Sequence, residues 1–191
     1  MALLSGFWGE PHPLLVSGPV YLRHPRLTDF EAWARLRQAS RDFLERWEPL
    51  WPEDDFTRPS FRLRIKRYQR DMDEDAAYPF FIFLLETDTL VGGINLNNVR
   101  RGVAQSASVG YWMGAAHAGQ GLMTQALSAL IRYSFRELEL HRLEAACLPE
   151  NERSARALLR AGFEEEGYAR RYLKIHGRWQ DHRLFGLSRD E

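Results

Sequence analysis

The sequence predicts a mixed α/β domain in which a mostly antiparallel sheet of about seven strands is flanked by helices. Three observations carry that expectation. Residues 80–86 and 90–97 are two apolar runs joined by Thr87-Asp88-Thr89, and so short a turn makes an antiparallel hairpin the simplest geometry. A strand over residues 108–113 meets a long helix through a glycine-bearing turn, and Leu122, Ala126, Leu127, Leu130, Ile131, Phe135 and Leu138 then trace one continuous helical stripe. The 191 residues are 45% hydrophobic and 13% aromatic, enough for one buried core, while 27% charged residues cover an ordinary surface.

Taken in order, residues 1–18 scatter Gly6, Gly9, Pro11, Pro13 and Gly18 between apolar side chains and read as an irregular N-terminal arm. Residues 19–191 read as a single domain, because no repeat, low-complexity tract or linker interrupts them. Residues 20–26 alternate Val20, Leu22 and His24 against Tyr21 and Arg23 as a half-buried strand, and Thr28-Asp29 follows as a helix N-cap signal. Phe30, Trp33, Ala34 and Leu36 recur at helical spacing. Phe43, Leu44 and Trp47 mark a second short helix, Pro49 and Pro52 hold Leu50 and Trp51 in an extended loop, and Phe61, Ile65, Tyr68 and Met72 mark a third helix. Beyond the hairpin and the long helix come a strand at residues 143–148, a helix at 151–160 closed by Gly162, and strands around 165–173 and 182–187. The predicted order is β-α-α-α-β-β-β-α-β-α-β-β.

Composition excludes several classes of function. The 26 basic and 26 acidic residues give zero formal net charge, so no long-range field holds the protein on a polyanion and no direct nucleic-acid site is expected. Cys147 is the only cysteine, which rules out an intrachain disulfide or a cysteine-based zinc cluster and suits a reducing compartment. The longest apolar run, residues 78–85, falls far short of the roughly 20 residues that cross a bilayer. Residues 1–6 carry no basic group before their apolar stretch, unlike a secretory signal. The expected location is cytoplasmic, with no membrane partner. His117, His141, His176 and His182 lack metal-like spacing, so no metal is expected.

The turn before the long helix, residues 114–124, carries the chemistry. Gly119 and Gly121 permit a tight turn whose N–H groups converge at a helix N-terminus, where unpaired donors and the positive end of the dipole favour phosphate. Glycine spacing alone leaves two readings open, a plain strand-to-helix turn and a pyrophosphate cradle. A Walker loop fails because Gln120-Gly121 stand where Lys and Ser/Thr are required, and a dinucleotide fingerprint fails because Thr124 occupies its third glycine.

The window Ala116-His117-Ala118-Gly119-Gln120-Gly121 resembles motif A of the GNAT N-acetyltransferase superfamily, [RQ]-x-x-G-x-[GA], with both glycine positions matched and Ala116 in place of Arg or Gln. The continuation through Leu122-Met123-Thr124-Gln125-Ala126-Leu127 is similar to the ribosomal-protein-alanine N-acetyltransferases. So are Phe43-Leu44-x-x-Trp47-Glu48-Pro49, His141-Arg142-Leu143-Glu144-Ala145, Asn151-x-x-Ser154, Ala161-Gly162-Phe163 with Glu166-Gly167-Tyr168-Ala169, and Gly177-x-Trp179-x-Asp181-His182. The resemblance spans residues 21–187 and implies the GNAT fold.

It also implies a co-substrate, acetyl-coenzyme A, and direct acetyl transfer to the N-terminal α-amine of a protein, with alanine and a small-subunit ribosomal protein as the nearest precedent. The implied pyrophosphate site is Ala118, Gly119, Gln120, Gly121, Leu122, Met123 and Thr124. The pantetheine arm would run beside Tyr111, Trp112 and Met113 and meet Asn151, which reads equally as a helix N-cap. Many superfamily members protonate the leaving thiolate with a tyrosine where Leu158 stands here, so Ser154, the hydroxyl of the subfamily, is the expected hydrogen-bond donor. Glu48 is the expected base, with an ordered water as the alternative, since an α-amine titrates near about 7.7–8.0 and needs little help. Trp47, Trp51, Asn95, Asn97 and Tyr172 are candidates for the acceptor groove. Arg153, Arg156 and Arg160 read as nucleotide contacts or, more simply, a solvated basic face. A small-amine or antibiotic acetyltransferase and a non-catalytic coenzyme-A-binding module remain the competing readings, and nothing in the sequence assigns an oligomeric state.

Overall fold

The computed structural model describes residues 14–189; residues 1–13, most of the expected arm, lie outside that range. The first strands are β1 (Leu15–Ser17) and β2 (Val20–Arg23), followed by a 3-10 turn at Leu27–Asp29 and helices α1 (Phe30–Ala39), α2 (Arg41–Leu44) and α3 (Arg58–Asp73). Strands β3 (Tyr78–Leu84), β4 (Leu90–Arg100) and β5 (Ser106–Met113) lead into α4 (Leu122–Arg136), β6 (Arg142–Cys147), α5 (Glu152–Arg160), β7 (Glu164–Ile175) and β8 (Arg178–Ser188). The sheet therefore has eight strands in the order β1-β2-β3-β4-β5-β6-β8-β7. The strand beyond the seven expected is β1, formed by residues that the sequence places in the irregular arm; it pairs antiparallel with β2 from Leu15↔Leu22 to Ser17↔Val20.

Asp29 does not cap α1 with its side chain. Its carboxylate instead accepts from both guanidinium nitrogens of Arg23 at 2.7 and 2.8 Å and from the Arg26 N–H at 2.7 Å, which fixes the chain's exit from β2. Thr57 caps α3 by accepting from the Ser60 N–H at 3.3 Å, with Pro59 in the first turn where its missing N–H costs nothing.

The run Tyr78–Leu84 is apolar without a break because helices cover both faces of β3. Phe80 and Ile82 pack with Leu127, Leu130 and Leu158 in one cluster, whereas Phe81 and Phe83 pack with Phe30, Trp33 and Phe61 in another. The two-residue alternation of a strand thus sends neighbouring phenylalanines into opposite layers, α4 and α5 below and α1 and α3 above. Among the described residues no helix is long and apolar enough to cross a membrane.

Candidate active site

Every neighbouring strand pair is antiparallel except β5 and β6, which run parallel from Ser106↔Arg142 to Val109↔Ala145 and then part. Each remains held on its outer side beyond that point. β4 pairs with β5 as far as Gly92↔Met113, and β8 pairs with β6 as far as Cys147↔Arg183. The divergence is therefore a built slot between two anchored strands rather than a frayed end, and it leaves the inner edge of residues 110–113 without a partner strand. Because α4 follows β5 and α5 follows β6, both helix N-termini converge on this carboxyl end, where open α/β sheets place their ligands.

At the slot mouth, a 3-10 turn at Ala115–His117 is tied to the front helices by the Ala115 N–H, which donates to Ser40 Oγ at 2.9 Å. Gly119 and Gly121 follow with φ of 80° and 77°, a left-handed conformation that glycine adopts without strain. A Cβ at either would meet nothing within 4 Å, so backbone conformation, not crowding within the protein, demands glycine there. No side chain caps α4, and among the described residues the N–H groups of residues 119–124 donate to no protein acceptor. Those free donors at a helix N-terminus fit a pyrophosphate.

On the other lip, Asn151 caps α5 by accepting from the Ser154 N–H through Oδ1 at 3.1 Å. The cap uses only the carbonyl oxygen, leaving the side-chain NH2 available to a ligand. Ser154 Oγ lies 2.7 Å from the Tyr111 hydroxyl, a contact that bridges β5 and α5 across the slot. Burial pushes the Tyr111 phenol well above its ordinary value, and it pushes the Cys147 thiol up too, although the Ser154 hydroxyl beside that thiol opposes the shift. Cys147 is thereby a neutral structural thiol. Leu158 is fully buried in the core.

Trp112 and Met113 offer the slot backbone, not side chains. Met113 packs into the lower core, and the Trp112 ring packs in the upper layer, where the Arg37 guanidinium lies 4.9 Å from its centroid.

Glu48, the expected base, lies in a saturated ion pair. Its two oxygens accept from Arg37 at 3.0 and 2.6 Å, and the Trp51 indole N–H adds a third bond at 2.7 Å. Arg37 itself stacks 4.4 Å over the Trp51 ring. The Glu48 carbonyl also accepts from the His176 N–H at 2.9 Å, joining the loop after α2 to the tip of the β7–β8 hairpin. These segments form a wall, with Tyr172 half exposed beside it. Asn95 and Asn97 flank Gly110 on β4, opposite the slot-lining stretch of β5. Sequence reasoning missed Arg37 and the Tyr111 hydroxyl; the only signal for the latter was that Tyr111 shares the strand face of Val109 and Met113, which point into the core. No group of three or more potential metal ligands occurs among the described residues.

A splayed parallel pair, a glycine turn with free N–H groups and a capped second helix define an acetyltransferase of the GNAT type, and the chain belongs to that family: residues 20–164 match its acetyltransferase (GNAT) domain. The probable N-acetyltransferase YjcK of Bacillus subtilis is 38% identical over 174 residues, covering 91% of this chain and 96% of the relative. The ribosomal protein uS5-alanine N-acetyltransferase of Escherichia coli is 37% identical over 162 residues, 84% of each chain. Mycobacterium smegmatis RimJ, solved in complex with CoA-disulfide, superposes with a TM-score of 0.86 at 34% identity, over 95% of this chain and 88% of that one. The protein is an N-acetyltransferase of this RimJ-like type.

Proposed function

We propose that the protein transfers the acetyl group of acetyl-coenzyme A to the N-terminal α-amine of a protein, with an alanine terminus and a small-subunit ribosomal protein as the favoured acceptor. The observation that carries this reading is the 37% identity, over 84% of both chains, to an enzyme named for uS5-alanine acetylation. In this reading the free N–H groups of residues 119–124 hold the pyrophosphate, while the Ala118 N–H, expected among them, is instead spent on the Ala115 carbonyl at 3.3 Å; the open edge of Tyr111, Trp112 and Met113 takes the pantetheine, and the Asn151 amide donates to it. The amine nitrogen attacks the thioester carbonyl, the C–S bond breaks with its electron pair on sulfur, and the Ser154 hydroxyl donates a hydrogen bond to the departing thiolate. A free thiol titrates near about 8.5, so the thiolate takes its proton from water without a strong acid.

The geometry around Glu48 favours water as the acceptor of the amine proton. Both carboxylate oxygens are already occupied by a guanidinium and an indole N–H, and an α-amine near about 8 requires little help. Glu48 then acts by holding Arg37 and Trp51 at the acceptor wall.

Turnover measured by mass spectrometry with matched peptides beginning Ala, Ser or Met, an N-blocked lysine peptide and spermidine tests this. Acetylation confined to free α-amines, fastest on alanine and slowed about tenfold or more by Ser154→Ala, is the expected result. Equal transfer to spermidine or lysine would move the assignment to a small-amine enzyme, and acetyl-coenzyme A binding without transfer to any acceptor would leave a binding module.

A further inference from the structure

We infer that Tyr111 is the positioning residue for Ser154: its hydroxyl donates to Ser154 Oγ and so aims the serine's own hydrogen into the β5–β6 slot. The inference rests on the role proposed above for Ser154 and adds a residue from a different strand. Tyr111 and Ser154 lie 43 positions apart, yet their hydroxyls meet at 2.7 Å, and the phenol also donates to the Ser154 carbonyl over a longer 3.3 Å.

The direction of the bond follows from acidity and distance. A phenol, titrating near about 10, is a far better donor than an aliphatic hydroxyl, and the shorter of its two contacts is to Oγ. Burial keeps that phenol protonated throughout the pH range of the reaction, so it remains a donor. A serine in the first turn of a helix otherwise rotates freely about χ1 or returns its hydrogen to local backbone. With one lone pair of Oγ occupied from β5 and the N–H of the same residue held by Asn151, the remaining freedom is the rotation of a single O–H bond. Its hydrogen is thereby directed away from Tyr111; the protein group beside it there is the Cys147 thiol, a weak acceptor, so the hydrogen stays available to a stronger one such as a thiolate in the slot. No proton leaves Tyr111. Its contribution is to pre-orient a donor before charge develops on sulfur, the type of preorganisation that accelerates a step without changing substrate affinity.

The test is a double-mutant cycle on the full chain, read by single-turnover transfer at saturating acetyl-coenzyme A and peptide so that product release does not mask the chemical step. Tyr111→Phe keeps the ring and deletes only the hydroxyl. The expected result is a transfer rate lowered about fivefold, the scale of one neutral hydrogen bond, with KM for acetyl-coenzyme A within about twofold of wild type. Ser154→Ala should cost more, and adding Tyr111→Phe to it should cost nothing further. Unchanged melting temperatures would separate this loss from unfolding, and Tyr111→Trp, which fills the site but cannot reach Oγ in the same geometry, should not restore the rate. If Ser154→Ala slows transfer while Tyr111→Phe leaves it unchanged, or if the two losses multiply, the positioning role is overturned and the serine assignment stands. If Ser154→Ala itself leaves the rate unchanged, the serine assignment falls first.

Discussion

Glu48 shows how a side chain of the right chemical type can be committed elsewhere. Its pairing with Arg37, whose side chain is 9% exposed, places the ion pair between the surface limit and the fully buried one. Glu48→Gln should therefore lower unfolding free energy by about 2 kcal/mol, since the guanidinium would lose its counter-charge while staying largely out of water. Denaturant titration reads that loss. Turnover at a temperature where the variant is fully folded should stay within about threefold of wild type if water takes the amine proton. A collapse in the rate with the fold intact would restore Glu48 as the base. The Asn151 cap was legible in the sequence because a cap is a local feature, whereas Ser154 was singled out through the family resemblance. The Arg37–Glu48 pair and the Tyr111 hydroxyl were not, because partners 11 and 43 positions apart are chosen by how helices and strands pack.

At the level of elements, the turn into α4 joins conformation to ligand binding most directly. Gly121 holds φ of 77° at the helix N-cap, and an L side chain there pays about 1–2 kcal/mol. Gly121→Ala should lower the melting temperature and raise KM for acetyl-coenzyme A, while Gly121→Asn should recover part of the stability because asparagine tolerates the left-handed region. Equal stability for all three proteins would refute the conformational argument. The sequence disclosed this element, and the helices and central strands around it, through periodicity. It concealed β1, whose three residues lie against Gly18-Pro19 and carry too short an alternation to register. It also concealed the bulge between Ala169 and Leu173, where Arg171 has φ of 51° and donates its N–H to Asp181 at 2.8 Å. A bulge is set by its partner strand, and no local residue pattern announces it.

For the molecule as a whole, pH dependence between pH 5 and 8 turns on His182, 2% exposed on β8 opposite Ala169 of β7. Burial lowers its pKa, opposed by a 3.0 Å contact with the Gln180 carbonyl and by the charges of Glu150 and Asp181, and Tyr172 stacks edge-on at 5.7 Å. The folded state thus prefers the neutral ring, and between the depressed folded value and about 6.5 the unfolded chain binds more protons. Stability from this group is complete above about 6.5 and is lost as pH falls through the folded value. Melting temperatures from pH 8 to pH 5 should fall more steeply for wild type than for His182→Asn; parallel curves would refute the linkage. The strand order carries a consequence for synthesis. β8 lies between β6 and β7, so the chain emerging from a ribosome makes β7 before the strand that β7 must join. Until residues 178–188 arrive, β6 presents a bare edge and one side of the slot has no outer support. The nascent protein therefore completes the support of its slot late, and a chain cut before Arg178 would lose an interior plank of the sheet rather than a trailing end.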